Sequence, residues 1–542
     1  MPPLRARLAA LCTDHDGAIR RACPALLVAT LLYAVDCDKA YSIDDSLFLT
    51  QAAQVLADPW QPLAGEVVWD YRVGRASELS PSGVAMAYLL APVVLLGAEE
   101  WLAHLLVTLL LMAAAIAVAC ITVRLGLEAL EAAVATLLVV SMPTVLGMAS
   151  TVMPDIAALT FGAWGVERAL AFRTRRRLGA GVASAVLVGL AAHCRPHALL
   201  LALVVAAFTV DDGWAGGWRG VAWRRAWPAV GGIVAFGLGI LVTRDEHAAG
   251  GNLAAVAAFA NLERVPKNLV GFFAHLVFAL PLTLPYLAVR WRRLPWGVVG
   301  AAVGLGLAAL WQFGRLRWWY AAGMAGLSVG VLADVMLEGL RRRDRLQLIL
   351  GGWLLVALPV AIYVHLPSKF LMISAPAVSL VVVRVAGEWR PGPRRGLWLV
   401  TWASSCLLGL AIVRADAADA ESGRRAAEVL IRPRTERGEP VWYFGHWGYQ
   451  FYAEQAGARP ILPTPPYAAK GDVIVGSGGA GHPWLKRYAR RLLATSRLPR
   501  APGGRVMGGA WGAGFYSDAW GYLPWSYGDE PLPTFSAWRV ER

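Results

Sequence analysis

Long runs of apolar residues, separated by short clusters of arginine, constrain this chain more than any other feature of its sequence. A helix that spans a bilayer core needs about 20 mostly apolar residues, because no water is present there to satisfy an exposed backbone. By that criterion, with shorter helices admitted inside a bundle, about thirteen spans are expected. The arginine clusters orient them, since cytoplasmic loops carry the excess of positive charge. Composition points the same way. The 57% hydrophobic and 16% charged residues and a mean hydropathy of +0.50 exceed what a soluble core of this size needs to bury. The formal net charge of +14 is then assigned to loops at the membrane, and no nucleic-acid partner is expected. The cysteines Cys12, Cys23, Cys37, Cys120, Cys194 and Cys406 stand in no CxxC or histidine-rich array, so neither a disulfide nor a cysteine metal site is expected.

Arg5, Arg7, Arg20 and Arg21 precede the apolar run Cys23 to Val35 without a small-residue cleavage site, which reads as a retained first helix with a cytoplasmic N-terminus. That helix, at about 22–36, exits into a polar outer loop over 37–83, and the apolar stretch 84–97 is too short and too Pro-flanked to span. A helix at about 101–122 returns to Arg124. Helices at about 129–149 and 156–172 form a hairpin whose outer tip is Met153-Pro154-Asp155, closed inside by Arg173, Arg175, Arg176 and Arg177. The stretch 178–210 must make two short passes around His193-Cys194-Arg195-Pro196-His197 if Arg219, Arg224 and Arg225 are to lie inside. Three further inner loops are marked by Arg290, Arg292 and Arg293, by Arg341, Arg342, Arg343 and Arg345, and by Arg390, Arg394 and Arg395. The fold expected is a polytopic α-helical membrane domain over 1–413 and a small extracytoplasmic α/β domain over 414–542. In the latter, Pro440–Phe444 and Asp472–Val475 read as strands, and Trp447–Gln455 as a helix stopped by Gly457. The aromatic, glycine-rich stretch from Gly514 to Trp538 is either loop packing or a ligand-facing surface.

Chemistry-bearing residues gather in the outer loops. The first loop holds Asp36, Asp38, Lys39, Asp44, Asp45, Glu66, Asp70, Arg72, Arg75 and Glu78. Apolar residues recur at helical spacing from Tyr41 to Leu56, which predicts an amphipathic helix along the interface with Asp44 and Asp45 at its start. Carboxylates there cap a helix N-terminus, serve as a base, or do both. Asp155 sits between two apolar helices at the outer face, where an ionisable residue is costly and marks function unless it caps the helix that follows. His193, Arg195, His197, Arg315, Arg317, His365 and Lys369 fall on the same side. Cations at that depth suit a phosphate at the headgroup level, although each taken singly is equally consistent with snorkelling to lipid.

The order Asp44-Asp45, then Pro81 with Tyr88-Leu89-Leu90-Ala91-Pro92 and Leu96-Gly97-Ala98-Glu99-Glu100, then Ser141-Met142-Pro143 and Met153-Pro154-Asp155, resembles the GT-C membrane glycosyltransferases of the protein O-mannosyltransferase and aminoarabinose-transferase type, glycosyltransferase family 39-like. Pro367-Ser368-Lys369-Phe370 to Pro376, and Gly445-His446-Trp447-Gly448-Tyr449-Gln450-Phe451-Tyr452 to Pro460, resemble a bacterial branch of the same group. The resemblance implies transfer of a sugar, with inversion, from a polyprenyl-phosphate donor to an extracytoplasmic acceptor at the bacterial inner (plasma) membrane. It maps the family's acidic pair onto Asp44 and Asp45, the second in place of Glu, which leaves the choice of base open between them. The second family aspartate maps onto Asp155. Arg195 stands where relatives often carry lysine, a different donor geometry. Arg195, Lys369 and Arg317 are the expected donor-phosphate ligands, and His197, His365 and Glu78 the expected substrate contacts. No cofactor is required, although a divalent metal is an option if Asp44, Asp45 and Asp155 converge. A noncatalytic envelope-assembly protein of the same fold and a flippase of lipid-linked sugars are the rival readings.

Overall fold

The computed structural model describes residues 4–69, 72–79, 83–210, 223–243, 260–278, 283–389, 391–477, 485–498, 504–528 and 531–541. Asp70, Pro81, Arg219 and Arg390 lie outside the described residues, as do the side chains of Arg5, Arg7, Cys12 and Arg224. Among the described residues six helices are long and apolar enough to cross a membrane, or seven if Ala129–Val140 and Pro143–Ala149 count as one bent span. The single helix expected over 129–149 is thus two pieces, bent by 57°. Pro143 starts the second piece, a position where its missing N–H costs no helical bond.

Several passes are shorter than a bilayer. The 17 residues of Leu178–Cys194 rise about 25 Å, less than the roughly 30 Å hydrocarbon core. The 178–210 stretch does divide, at Arg195-Pro196, into Leu178–Cys194 and the helical turns Pro196–Thr209. Close packing holds these short helices together. Gly189 faces Ala235 so tightly that a Cβ on it would stand 2.8 Å from the alanine methyl, the small-residue contact by which membrane helices approach. Leucines such as Leu203, Leu305 and Leu407 point outward, as side chains do that face lipid.

The bundle has two chemically different ends. Helix Asp155–Arg175 runs from the Asp155 tip to an arginine-rich end, where Arg124 pairs with Glu167, Arg394 with Glu131 and Arg384 with Asp344. Arg345 donates there to the carbonyls of Ala207 and Val210, so helix Leu201–Thr209 ends at this same arginine-rich end. At the opposite end lie Asp36, Asp44, Ser150, Asp155, Arg195 and Lys369, joined to the C-terminal segment by the contacts described below.

Helix Pro391–Ala426 runs unbroken through position 414 and ends in the π-helical turn Ala427–Ile431. Beyond it stands a five-stranded mixed sheet in the order Arg459–Pro460, Val441–Phe444, Val473–Ser477, Phe535–Val540, Arg490–Ser496. The first three strands are parallel and the last two antiparallel to their neighbours. Helix Gly448–Gln455 presses on the first polar loop. A Cβ on Gly448 would come within 1.8 Å of the Tyr41 carbonyl oxygen. Gly448→Ala is therefore expected to cost about 1–3 kcal/mol through overpacking and to speed proteolytic release of the sheet, read by limited digestion in detergent.

Candidate active site

The first polar loop enters the site through a tight turn. Ile43 holds φ at +44°, a left-handed conformation that a β-branched residue adopts only where its surroundings enforce it. The enforcing bonds come from Asp45, at the start of helix Asp45–Ala57. Its Oδ2 accepts the Ser42 N–H at 2.8 Å and its Oδ1 accepts the Val152 N–H at 2.9 Å, tying the loop to the Met153-Pro154-Asp155 tip. Asp44, the N-cap residue, closes no side-chain cap bond. The second carboxylate is thus spent on backbone N–H groups outside the helix, and the first, with its side chain 27% exposed, turns toward Lys369, whose Nζ stands 3.9 Å from Asp44 Oδ2. The helix itself buries most of its side chains, including Phe48 and Gln51, rather than presenting a polar face along an interface.

Burial pushes the Asp45 carboxyl up to about 7, against the pull of Lys39 and of the two backbone donors. The folded chain therefore keeps a proton there that the unfolded chain, with a carboxyl near 3.9, has released. Because the folded state binds more protons over that window, the stability Asp45 contributes falls as pH rises from about 4 to about 7. Asp45→Asn should flatten that slope, measured as the pH dependence of the thermal unfolding midpoint.

Asp155 does not cap its helix either, since Pro154 occupies the N-cap position. It pairs with Arg195 through Nε to Oδ1 at 3.1 Å and Nη2 to Oδ2 at 2.5 Å, a bidentate geometry. Two of the guanidinium's five N–H donors are thus engaged by the carboxylate. Phe370 lies beneath that guanidinium at 5.7 Å and packs against the His197 ring at 4.9 Å. Tyr363 joins the same aromatic group, with His365 against its ring. Lys369 Nζ reaches Met153 Sδ at 3.4 Å and lies 5.4 Å from the centre of the Tyr516 ring. The His365 imidazole is held down to about 3 by burial and by the nearby Lys369, Lys267 and Arg195, so it enters any chemistry here as a neutral group.

One end of the bundle therefore brings together Asp44, Asp45, Asp155, Arg195, His197, His365 and Lys369. Two expected residues stand apart. Arg317 lays its guanidinium over Trp318 at 4.1 Å, where the aromatic neighbour is Tyr522 rather than the carboxylates. Glu78 is exposed on the short turn Ala76–Leu79 beside the hairpin of Glu66–Trp69 and Arg72–Arg75. The three aspartates do not share a cation site, because Asp45 faces backbone N–H groups and Asp155 faces Arg195. Among the described residues no group of three or more His, Cys, Asp or Glu side chains is placed to hold a metal ion.

The structure adds pairings that the sequence reading did not foresee. Lys39 Nζ forms a buried pair with Asp416 Oδ2 at 2.7 Å and donates to the Ser150 carbonyl at 2.5 Å. Tyr516 OH donates to the same Asp416 carboxylate at 2.9 Å. First loop, helix Pro391–Ala426 and C-terminal segment thus meet at one carboxylate behind Asp44. The Gly445–Tyr452 motif clamps this loop from outside: the Tyr41 N–H donates to Tyr452 OH at 2.8 Å, and Ser46 Oγ donates to the Trp447 carbonyl at 3.2 Å. Its place as the first carboxylate after an apolar run, followed by Asp419 and Glu421, was the available signal for Asp416.

No family model matches the chain, and no curated protein sequence matches it. Among solved structures it is similar to ArnT from Cupriavidus metallidurans in the apo state, at 14% identity and a TM-score of 0.44, over 87% of this chain and 95% of that one. The same protein bound to undecaprenyl phosphate gives 14% identity and a TM-score of 0.42 over the same shares. The archaeal oligosaccharyltransferase AglB from Archaeoglobus fulgidus, in complex with an inhibitory peptide and a dolichol-phosphate, gives 12% identity and a TM-score of 0.46 over 84% of this chain and 69% of that one.

Proposed function

We propose that this chain is a membrane glycosyltransferase that moves a sugar from a polyprenyl phosphate to an acceptor hydroxyl outside the cytoplasm. The observation that carries the reading is the pairing of Asp44 with Lys369 beside the Asp155–Arg195 pair. A carboxylate free of backbone bonds thus faces a group of cations at the end of an apolar bundle. In this reading the arginine-rich end lies in the cytoplasm and the site faces outward from the bacterial inner membrane. The carrier phosphate binds at Lys369 and at the donors of Arg195 that Asp155 leaves open, with His197 and His365 shaping the sugar pocket.

Transfer then needs few parts. The acceptor oxygen attacks the anomeric carbon from the face opposite the phosphate, which inverts that centre. Its proton passes to Asp44, and the bond from the anomeric carbon to the phosphate oxygen breaks. The leaving group departs as a phosphate anion and needs no general acid, since fixed cations take up its charge without reorganising. Asp155 is a positioning residue that fixes the Arg195 plane, and Asp45 fixes the turn on which Asp44 sits.

Membranes containing the chain, given a radiolabelled polyprenyl-phosphate sugar, should move label to an acceptor. Lys369→Gln should weaken donor use by about 10- to 100-fold, the loss of one charged contact worth about 1.5–3 kcal/mol, mainly in KM. Label that crosses the membrane while still attached to its carrier would remove the transferase reading.

A further inference from the structure

Beside the proposed site lies a second buried polar cluster, in which Lys267, His275, Asp518 and Tyr522 are each 1% exposed or less. Lys267 projects from helix Val265–Phe278 with its side chain only 1% exposed, and Asp518 from the C-terminal segment pairs with it at 2.9 Å. Asp518 Oδ1 also accepts the Leu366 N–H at 3.2 Å, but Oδ2 closes no hydrogen bond of good geometry. Around this carboxylate stand donors left open. His275 is fully buried against the Leu366 backbone, the one hydrogen-bond neighbour of its ring among the described residues, and neither nitrogen closes a bond of good geometry. The buried Tyr522 hydroxyl has no partner either. Arg315 donates to the carbonyl of Ala519, the next residue of the same segment, at 2.7 Å.

Buried polar atoms are nearly always satisfied, so donors left open in one place mark where the acceptors of a ligand would fit. The surplus here is of donors and positive charge, with Lys267, Arg264 and Arg315 acting against the single Asp518. A carboxylate offers two acceptor oxygens, whereas a phosphate group offers more acceptors and a higher charge. His365 feels both Lys267 and Lys369, which puts the pocket next to the first anion site. We propose that Lys267, the Leu366 N–H, His275 and Tyr522 form a second phosphate subsite, and that Asp518 fills it as an internal competitor until substrate arrives. The subsite stands on its own geometry. Only the bearer of the phosphate, a carrier diphosphate or a phosphorylated acceptor, rests on the proposed transfer reaction.

Inorganic phosphate binding to the purified full chain in detergent tests the subsite. Asp518→Asn should tighten phosphate binding by about tenfold, as expected when a closed state that fills the pocket about nine-tenths of the time is removed. Adding Lys267→Gln should abolish that gain, whereas adding Lys369→Gln should leave it. If Asp518→Asn lowers stability by leaving Lys267 unpaired, phosphate should raise its unfolding midpoint by mass action. Equal affinity in parent and Asp518→Asn, a gain that survives Lys267→Gln, or no phosphate-dependent rise in midpoint would each overturn the subsite. A Lys267-dependent preference for polyprenyl diphosphate over monophosphate assigns the phosphate to the carrier. Absence of that preference, with Lys267-dependent binding of a phosphorylated glycolipid, assigns it to the acceptor. Phosphate binding without sugar transfer would leave the pocket standing and remove the transferase reading, and transfer without such binding would do the reverse.

Discussion

Asp44→Asn lowers sugar transfer by about 10²- to 10⁴-fold, the contribution of a positioned general base, and shifts the thermal unfolding midpoint by no more than about 2 °C, as expected of a surface-type change. The loss should fall on kcat, because the acceptor and the carrier phosphate keep their other contacts while the proton loses its receiver. Little of the fold depends on this side chain: it closes no cap bond, is partly exposed and meets Lys369 at 3.9 Å. Asp45 is the necessary contrast. Its carboxylate holds the Ser42 and Val152 N–H groups, so Asp45→Asn should lower the amount of folded protein before it touches the chemistry. Transfer assayed per mole of folded protein separates the two. Near-parental turnover in Asp44→Asn, with full loss in a well-folded Asp45→Asn, would exchange their roles.

Lys39→Met destabilises the chain by about 3–5 kcal/mol, the cost of leaving a buried carboxylate without its partner. The paired side chains are 1% and 2% exposed, so water cannot replace the lost ammonium. Asp416 also accepts from Ser42 Oγ at 3.3 Å and from Tyr516, and the damage should therefore reach the Asp44 turn and the C-terminal segment together. Adding Asp416→Leu should recover most of the stability, since an apolar pair of similar volume serves a buried site as well as an ion pair does. Thermal unfolding of the two single variants and the double in detergent measures this coupling. A double variant as unstable as the two singles combined would show that Lys39 and Asp416 act independently.

Much of the architecture was legible because a bilayer enforces a simple rule: backbone groups must be satisfied within the segment, so apolar length and flanking arginines report passes and ends. The hairpin tip at Asp155, the division near Arg195-Pro196 and the strand and helix after Pro440 all follow from such local signals. Where the reading erred, local signal was outweighed by packing. Pro143 split one expected helix, and Asp416, inside helix Pro391–Ala426, is held by Tyr516 from the C-terminal segment. Arg317 looked like any other cation of the outer face, yet Trp318 offered its guanidinium a ring to cover.

The sequence alone determined the helical membrane class, the two opposite ends of the bundle and the set of charges from which a site could be drawn, because apolar length and charge act locally along the chain. The tertiary structure alone decided which of those charges meet. Asp44 was separated from Asp45 by backbone N–H groups that Asp45 alone accepts, one of them, from Val152, on a different hairpin. Lys39 found Asp416 across more than three hundred residues, and Lys267 found Asp518 across about two hundred and fifty. Partners of that kind are chosen by the cost of burying an unpaired charge, a condition that exists only once the chain has folded.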